Sequence, residues 1–235
     1  MAAATQQAEN FSSVAWSYFI DVREDTSEEF AKQQELYSKY AKTYDEWASE
    51  EEYSGPKAVA TKILKLYSNE KNIKILDYGC GTGATSDLLS EHGYQNIDGL
   101  DPCKEIIDVA RSKGKMQKLY QLKSGDDDSV IPSQEYDVVC SSGVLFCSAS
   151  HPGYECLTDI IRYVKPGGHI IIAHRQVDSC IESRHVTDLA FLDNDVKQGK
   201  IKVEAKEVID RWRRPANTLE GEDIIKGELL IIQVL

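Results

Sequence analysis

No apolar run in this chain approaches the ~20 residues that a helix needs to cross a bilayer. The first ten residues have neither the basic start nor the long hydrophobic core of a secretory leader. Both absences predict a soluble, cytoplasmic protein without a membrane partner. Basic side chains are scarce: 27 Lys and Arg against 39 Asp and Glu leave a formal net charge of −12. Nucleic-acid affinity rests largely on Lys and Arg neutralising phosphate, so a broad polyanion-binding face is excluded and neither DNA nor RNA is expected as a partner. The six cysteines, Cys80, Cys103, Cys140, Cys147, Cys156 and Cys180, form no C-x-x-C pair, and no H-E-x-x-H occurs. Reduced thiols and no metal site are the expectation. At 235 residues and without internal repeats, the chain suits one α/β domain with a sizeable core.

What is present begins with Ile73, Ile75 and Leu76, a short apolar run that reads as a buried parallel strand. It leads into Asp77-Tyr78-Gly79-Cys80-Gly81-Thr82-Gly83 and then an amphipathic stretch from Ala84 to His92. Glycines at alternate positions remove the Cβ atoms that would keep a ligand off the backbone, and a helix start offers free N–H groups. A second apolar run ends in Asp101 about 20 residues further on, where doubly wound folds place the carboxylate that grips ribose hydroxyls. A dinucleotide site prefers G-x-G-x-x-G. Here an acid two residues ahead of the first glycine would repel pyrophosphate but suit an amine.

At these residues the chain resembles the class I S-adenosylmethionine-dependent methyltransferases, whose first motif reads D-x-G-x-G-x-G. The resemblance extends to an aromatic lead-in from Tyr37 to Asp45, where Ser38 and Tyr40 replace the family's acid and tryptophan, a fourth strand from Tyr136 to Gly143, and Lys165-Pro166-Gly167-Gly168 before a fifth strand from His169. It implies an α/β, Rossmann-like class I methyltransferase fold: a seven-stranded, mostly parallel sheet in the order 3-2-1-4-5-7-6, the seventh strand antiparallel, with helices on both faces and an N-terminal helical lid. Within that superfamily the chain also resembles the Williams-Beuren syndrome critical region methyltransferase-like family, through Tyr53-Ser54-Gly55-Pro56, His151-Pro152-Gly153 and His174-Arg175. Residues 1–28 read as a flexible tail, 29–52 as the lid helix, and 29–235 as one domain.

The resemblance implies S-adenosylmethionine as cofactor. Asp77, Gly79, Cys80, Gly81 and Gly83 would cradle its methionine end, Asp101 and Pro102 its ribose, and Gly125 and Asp126 its adenine. Ser141 and Ser142 would border it from the fourth strand, and Tyr37 and Tyr44 from the lid. Structural alternatives stand beside these roles: packing for the tyrosines, a helix cap for Asp101, and a solvated acidic loop for Asp126. Residues 144–153 would wall the acceptor site. The methyl of such a donor is already electrophilic, so the protein mainly has to hold a nitrogen, oxygen or sulfur in line with it. His151 or His174 could take a proton where the acceptor has one to lose. A small-molecule acceptor is expected, with a protein acceptor, a non-catalytic cofactor binder and a nicotinamide-dependent reductase as rivals.

Overall fold

The computed structural model describes residues 27–145, 151–176, 182–213 and 225–235, the side chains of 27, 29 and 182–189 excepted. The expected tail over 1–28 lies outside them but for its last two residues, as do residues 146–150 of the expected acceptor wall.

Seven strands form one sheet in the order β3-β2-β1-β4-β5-β7-β6. They are β1 (Ile75–Tyr78), β2 (Ile97–Leu100), β3 (Leu119–Tyr120), β4 (Tyr136–Ser142), β5 (Val164–Arg175), β6 (Ile201–Arg213) and β7 (Ile225–Val234). Strands β1 to β5 pair in parallel, while β7 runs antiparallel to both β5 and β6. This is the expected class I methyltransferase topology.

The continuous apolar runs are explained by burial on both faces, since successive side chains alternate sides. On one face Leu76, Val139, Ile170, Ile172, Leu230 and Ile232 pack against Leu157, Ile160 and Tyr163 of α6 (Leu157–Tyr163) and Leu192 of α7 (Glu182–Lys197). On the other, Ile75, Ile97, Val138, Ile171, Ala173 and Ile231 meet Val59, Ala60 and Ile63 of α3 (Gly55–Leu66) and Leu89 of α4 (Ala84–Glu91). The central strands can therefore carry no solvated side, and their carboxyl ends open toward one edge where ligands gather.

The expected single lid helix over 29–52 is two helices, α1 (Ser27–Tyr40) and α2 (Tyr44–Glu50). The break has a local cause: the Tyr40 carbonyl accepts both the Thr43 N–H at 3.0 Å and its hydroxyl at 3.3 Å, closing a turn. Tyr40 packs with Leu36, Tyr37, Tyr44 and Trp47, and Ala41 with Cys103 and Ile106. Ser38 donates to Glu105 at 2.6 Å on α5 (Lys104–Lys113). Asp45 accepts from Thr82 in the glycine turn and pairs with Lys113 at 2.6 Å. The helices are thus tied to the edge where β1 and β2 end.

Strand lengths differ from expectation where pairing, not composition, sets them. The third strand is only Leu119–Tyr120, since just two residues find partners on β2. The fifth begins at Val164, ahead of the expected His169: Tyr136 pairs with Val164 and Val138 with His169, so Lys165-Pro166-Gly167-Gly168 is accommodated as a register shift within the strand. The sixth runs from Ile201 to Arg213, with irregularities between Val203 and Ala205 and after Ile209.

Candidate functional site

A cavity of about 660 Å³ opens at the carboxyl ends of β1, β2 and β4, inside the roughly 300–1,000 Å³ typical of small-molecule sites. Its floor is the turn after β1. Gly79, Gly81 and Gly83 all have positive φ, 73°, 54° and 91°, a region side chains rarely adopt. A Cβ at Gly79 would collide with Val144 at 2.1 Å, whereas one at Gly81 would meet nothing within 4 Å. The first glycine is therefore needed for packing, and the second leaves space on the ligand side.

Asp101 closes β2 at the same wall. Its Oδ2 accepts the Gly81 N–H at 3.1 Å and its Oδ1 the Cys103 N–H at 2.9 Å. It thus ties the residue ahead of α5 to the glycine turn, and this structural role is compatible with a ligand contact. Burial pushes its carboxyl up to about 6, with the two N–H bonds opposing the shift. Asp77 lies behind the turn, 2% exposed, and burial pushes it up to about 7, with the Cys140 thiol opposing and the Asp101 charge reinforcing. Its Oδ2 has no hydrogen-bond partner among the described residues.

These features bear on whether S-adenosylmethionine fits. Two buried carboxylates, one with an unsatisfied oxygen, suit a ligand bringing a positive charge and hydroxyl donors. The open position at Gly81 and another at Gly125, whose φ is 86°, leave the backbone accessible. The residues fit such a group.

The opposite wall comes from α1: Phe30, Gln33, Gln34 and Tyr37 line the cavity at i, i+3, i+4 and i+7. Lys123, beside Gly125, lies 5.0 Å over the Phe30 ring. His151 also lines the cavity and is 9% exposed. Gln33 Nε2 lies 3.1 Å from its Nδ1, and the Tyr37 hydroxyl 3.2 Å from its Nε2. Gln33 Nε2 also lies 3.3 Å from that Nε2, so both ring nitrogens are engaged.

The cavity brings together Tyr37, Tyr44, Gly79, Gly81, Asp101, Pro102, Gly125, Ser142 and His151 from the expected set. Cys80, Gly83 and Ser141 stand one layer behind. The Cys80 thiol packs under Gly99, Gly83 starts α4, and Ser141 is buried with no partner for its hydroxyl among the described residues. Asp126 is exposed and turned back on its own loop, its carboxylate accepting the Lys123 N–H at 3.0 Å. His174 is buried away from the cavity, its Nδ1 donating to the Arg175 carbonyl at 2.9 Å and its Nε2 3.6 Å from Glu228. Sequence reasoning missed Gln33, Gln34 and Glu155 as lining residues. The helical spacing of the glutamines with Phe30 and Tyr37 was the signal available for two of them.

Comparison with known proteins accords with this architecture. Residues 76–172 match the family model described as a methyltransferase domain. A malonyl-[acyl-carrier protein] O-methyltransferase of Ilyobacter polytropus is 28% identical over 177 residues, covering 74% of this chain and 66% of that protein. Human methyltransferase-like protein 27 is 25% identical over 166 residues, 70% of this chain and 66% of that one. The chain spans between 50% and 66% of the length of the curated relatives matched first. Among solved structures, a TehB-like SAM-dependent methyltransferase from Corynebacterium glutamicum superposes with a TM-score of 0.56 at 19% identity, covering 85% of this chain and 98% of that one. Residues 76–172 thus match a methyltransferase domain model, and the chain has the fold of class I S-adenosylmethionine-dependent methyltransferases.

Proposed function

We propose that this protein transfers a methyl group from S-adenosylmethionine to a nitrogen, oxygen or sulfur of a small-molecule acceptor. The observation that carries the reading is one cavity walled on one side by the glycine turn and Asp101 and on the other by α1 and His151. When bound, the cofactor supplies a methyl already activated as an electrophile. The chain's own part is binding and orientation. Asp101 accepts the ribose hydroxyls, the free oxygen of Asp77 attracts the amine, and Tyr37 and Tyr44 wall the methionine end. Asp126 would reach the adenine only by releasing the Lys123 N–H. His151 is the group placed to take a proton from an acceptor that has one to lose; His174 would have to leave its buried pairing to do so.

A small molecule is favoured over a protein acceptor by enclosure under α1 and α2 and by the acidic composition. Residues 29–235 act as one domain in this reading, and kinship with the Williams-Beuren critical region family belongs to the same proposal. The relatives' names bear on it too, since a malonyl-[acyl-carrier protein] O-methyltransferase and a ubiquinone biosynthesis O-methyltransferase are both among them.

Calorimetric titration with S-adenosylmethionine, S-adenosylhomocysteine and NADH, followed by labelled-methyl transfer into a metabolite extract with products identified by mass spectrometry, tests the proposal. Tight binding of the first two and a methylated metabolite are expected. Binding of NADH alone would overturn it, and binding without transfer would leave a cofactor binder. His151→Asn should then lower kcat with little change in cofactor affinity.

A further inference from the structure

We infer that the acceptor carries a carboxylate, and that Arg175 and Arg213 bind it at the ends of β5 and β6. The inference rests on the proposed methyl transfer and names the chemistry of its substrate.

Strands β4, β5 and β6 run in the same direction, so Ser142, Arg175 and Arg213 end them on one edge of the sheet. Only β7 separates the two arginines: Arg175 is in register with Gly227 and Arg213 with Ile225. Gly227 presents no side chain between them, and the Trp212 ring lies over it so closely that a Cβ there would stand 2.7 Å from the ring. The same tryptophan and the Tyr53 hydroxyl back the cavity wall at Gly143, whose N–H donates at 3.0 Å to the carbonyl of Ala173, two residues before Arg175. The arginines therefore lie directly beyond the Ser142 and Gly143 side of the cavity, on the far side of the methionine pocket from Asp101.

Their charges are unevenly balanced. Arg211 pairs with Glu52 at 2.7 Å and Arg213 with Glu51 at 3.4 Å. Arg175, partly buried, enters no ion pair among the described residues. Burial holds the Arg213 guanidinium below its ordinary range, Glu51 opposes this, and the like charge of Arg175 adds to it. In a chain of net charge −12, Arg175 is thus left without a carboxylate partner among the described residues. A guanidinium presents a planar fork of donors matched to a carboxylate, and a counter-ion would relieve the like-charge pair.

Titration calorimetry of the full chain, with and without S-adenosylhomocysteine, against succinate, glutarate and benzoate and against their neutral amides tests the inference. At least one carboxylate should bind at least tenfold more tightly than its amide. Arg175→Gln should weaken that binding tenfold or more and leave S-adenosylhomocysteine affinity unchanged. Equal binding of acid and amide, no binding of any of the three acids, or wild-type carboxylate affinity in Arg175→Gln would overturn it. The S-adenosylhomocysteine titration reads the cofactor proposal separately, so the two can fail independently.

Discussion

Replacing Asp77 by Asn should make the protein more stable and a poorer cofactor binder at the same time. Asp77 is buried with one carboxylate oxygen unsatisfied among the described residues, and its carboxyl is pushed up to about 7. The folded state therefore holds the proton more tightly than the unfolded chain, where 3.8 is the ordinary value. Stability is fully present below that value and is lost as pH rises through about 7, because the folded state must then house a poorly solvated charge. A difference of about three pH units at 1.36 kcal/mol each gives a penalty on the order of 4 kcal/mol at pH 8. Asn keeps the shape and removes the charge. At pH 8 the variant should melt about 8–16 °C higher, at roughly 2–4 °C per kcal/mol for a chain of this size, while near pH 4 the two proteins should melt together. Calorimetric affinity for S-adenosylhomocysteine at pH 8 should fall at least tenfold, since the amine loses its counter-charge. Melting curves that move in parallel with pH would refute the strained-carboxylate argument; unchanged affinity would remove the amine contact.

Asp101→Ala should cost the cofactor at least tenfold in affinity by titration, and about 1–3 kcal/mol in denaturant unfolding for each buried N–H it leaves unpaired, those of Gly81 and Cys103. Gly81→Ala meets no steric obstruction in the protein. Thermal unfolding should show a loss of only about 1–2 kcal/mol for the left-handed backbone, with a larger effect on cofactor binding as the methyl fills the cradle. Asp45→Ala cuts the links from α2 to Thr82 and Lys113. Exposed pairs are worth about 0–1 kcal/mol, so global stability should hold while stopped-flow S-adenosylhomocysteine release quickens, the difference shrinking in high salt.

The sheet and the glycine turn could be read from the sequence because each is written in local patterns. Strand segments such as 75–76 and 170–173 are apolar at every position when both faces are covered, and three alternating glycines have few other uses. The wall over the cavity was harder. Gln33 and Gln34 line the cavity, so they interrupt the apolar stripe that marks a helix face, and the turn at 41–43 depends on one carbonyl accepting twice. The place of Asp126 was set by a bond within its own loop, which composition does not report. Arg175 and Arg213 are 38 residues apart and become neighbours only through their shared partner β7.

The division of the cavity between two kinds of element has a consequence for how such a protein diversifies. The glycine turn is constrained at Gly79, where a side chain would strike Val144 just past the end of the neighbouring strand. The face of α1 is held instead by side-chain contacts to its neighbours, so exchanging Phe30, Gln33 or Gln34 would reshape the chamber while the core stays as it is. New acceptors should therefore be easier to acquire by changes in this helix than by changes anywhere else around the chamber.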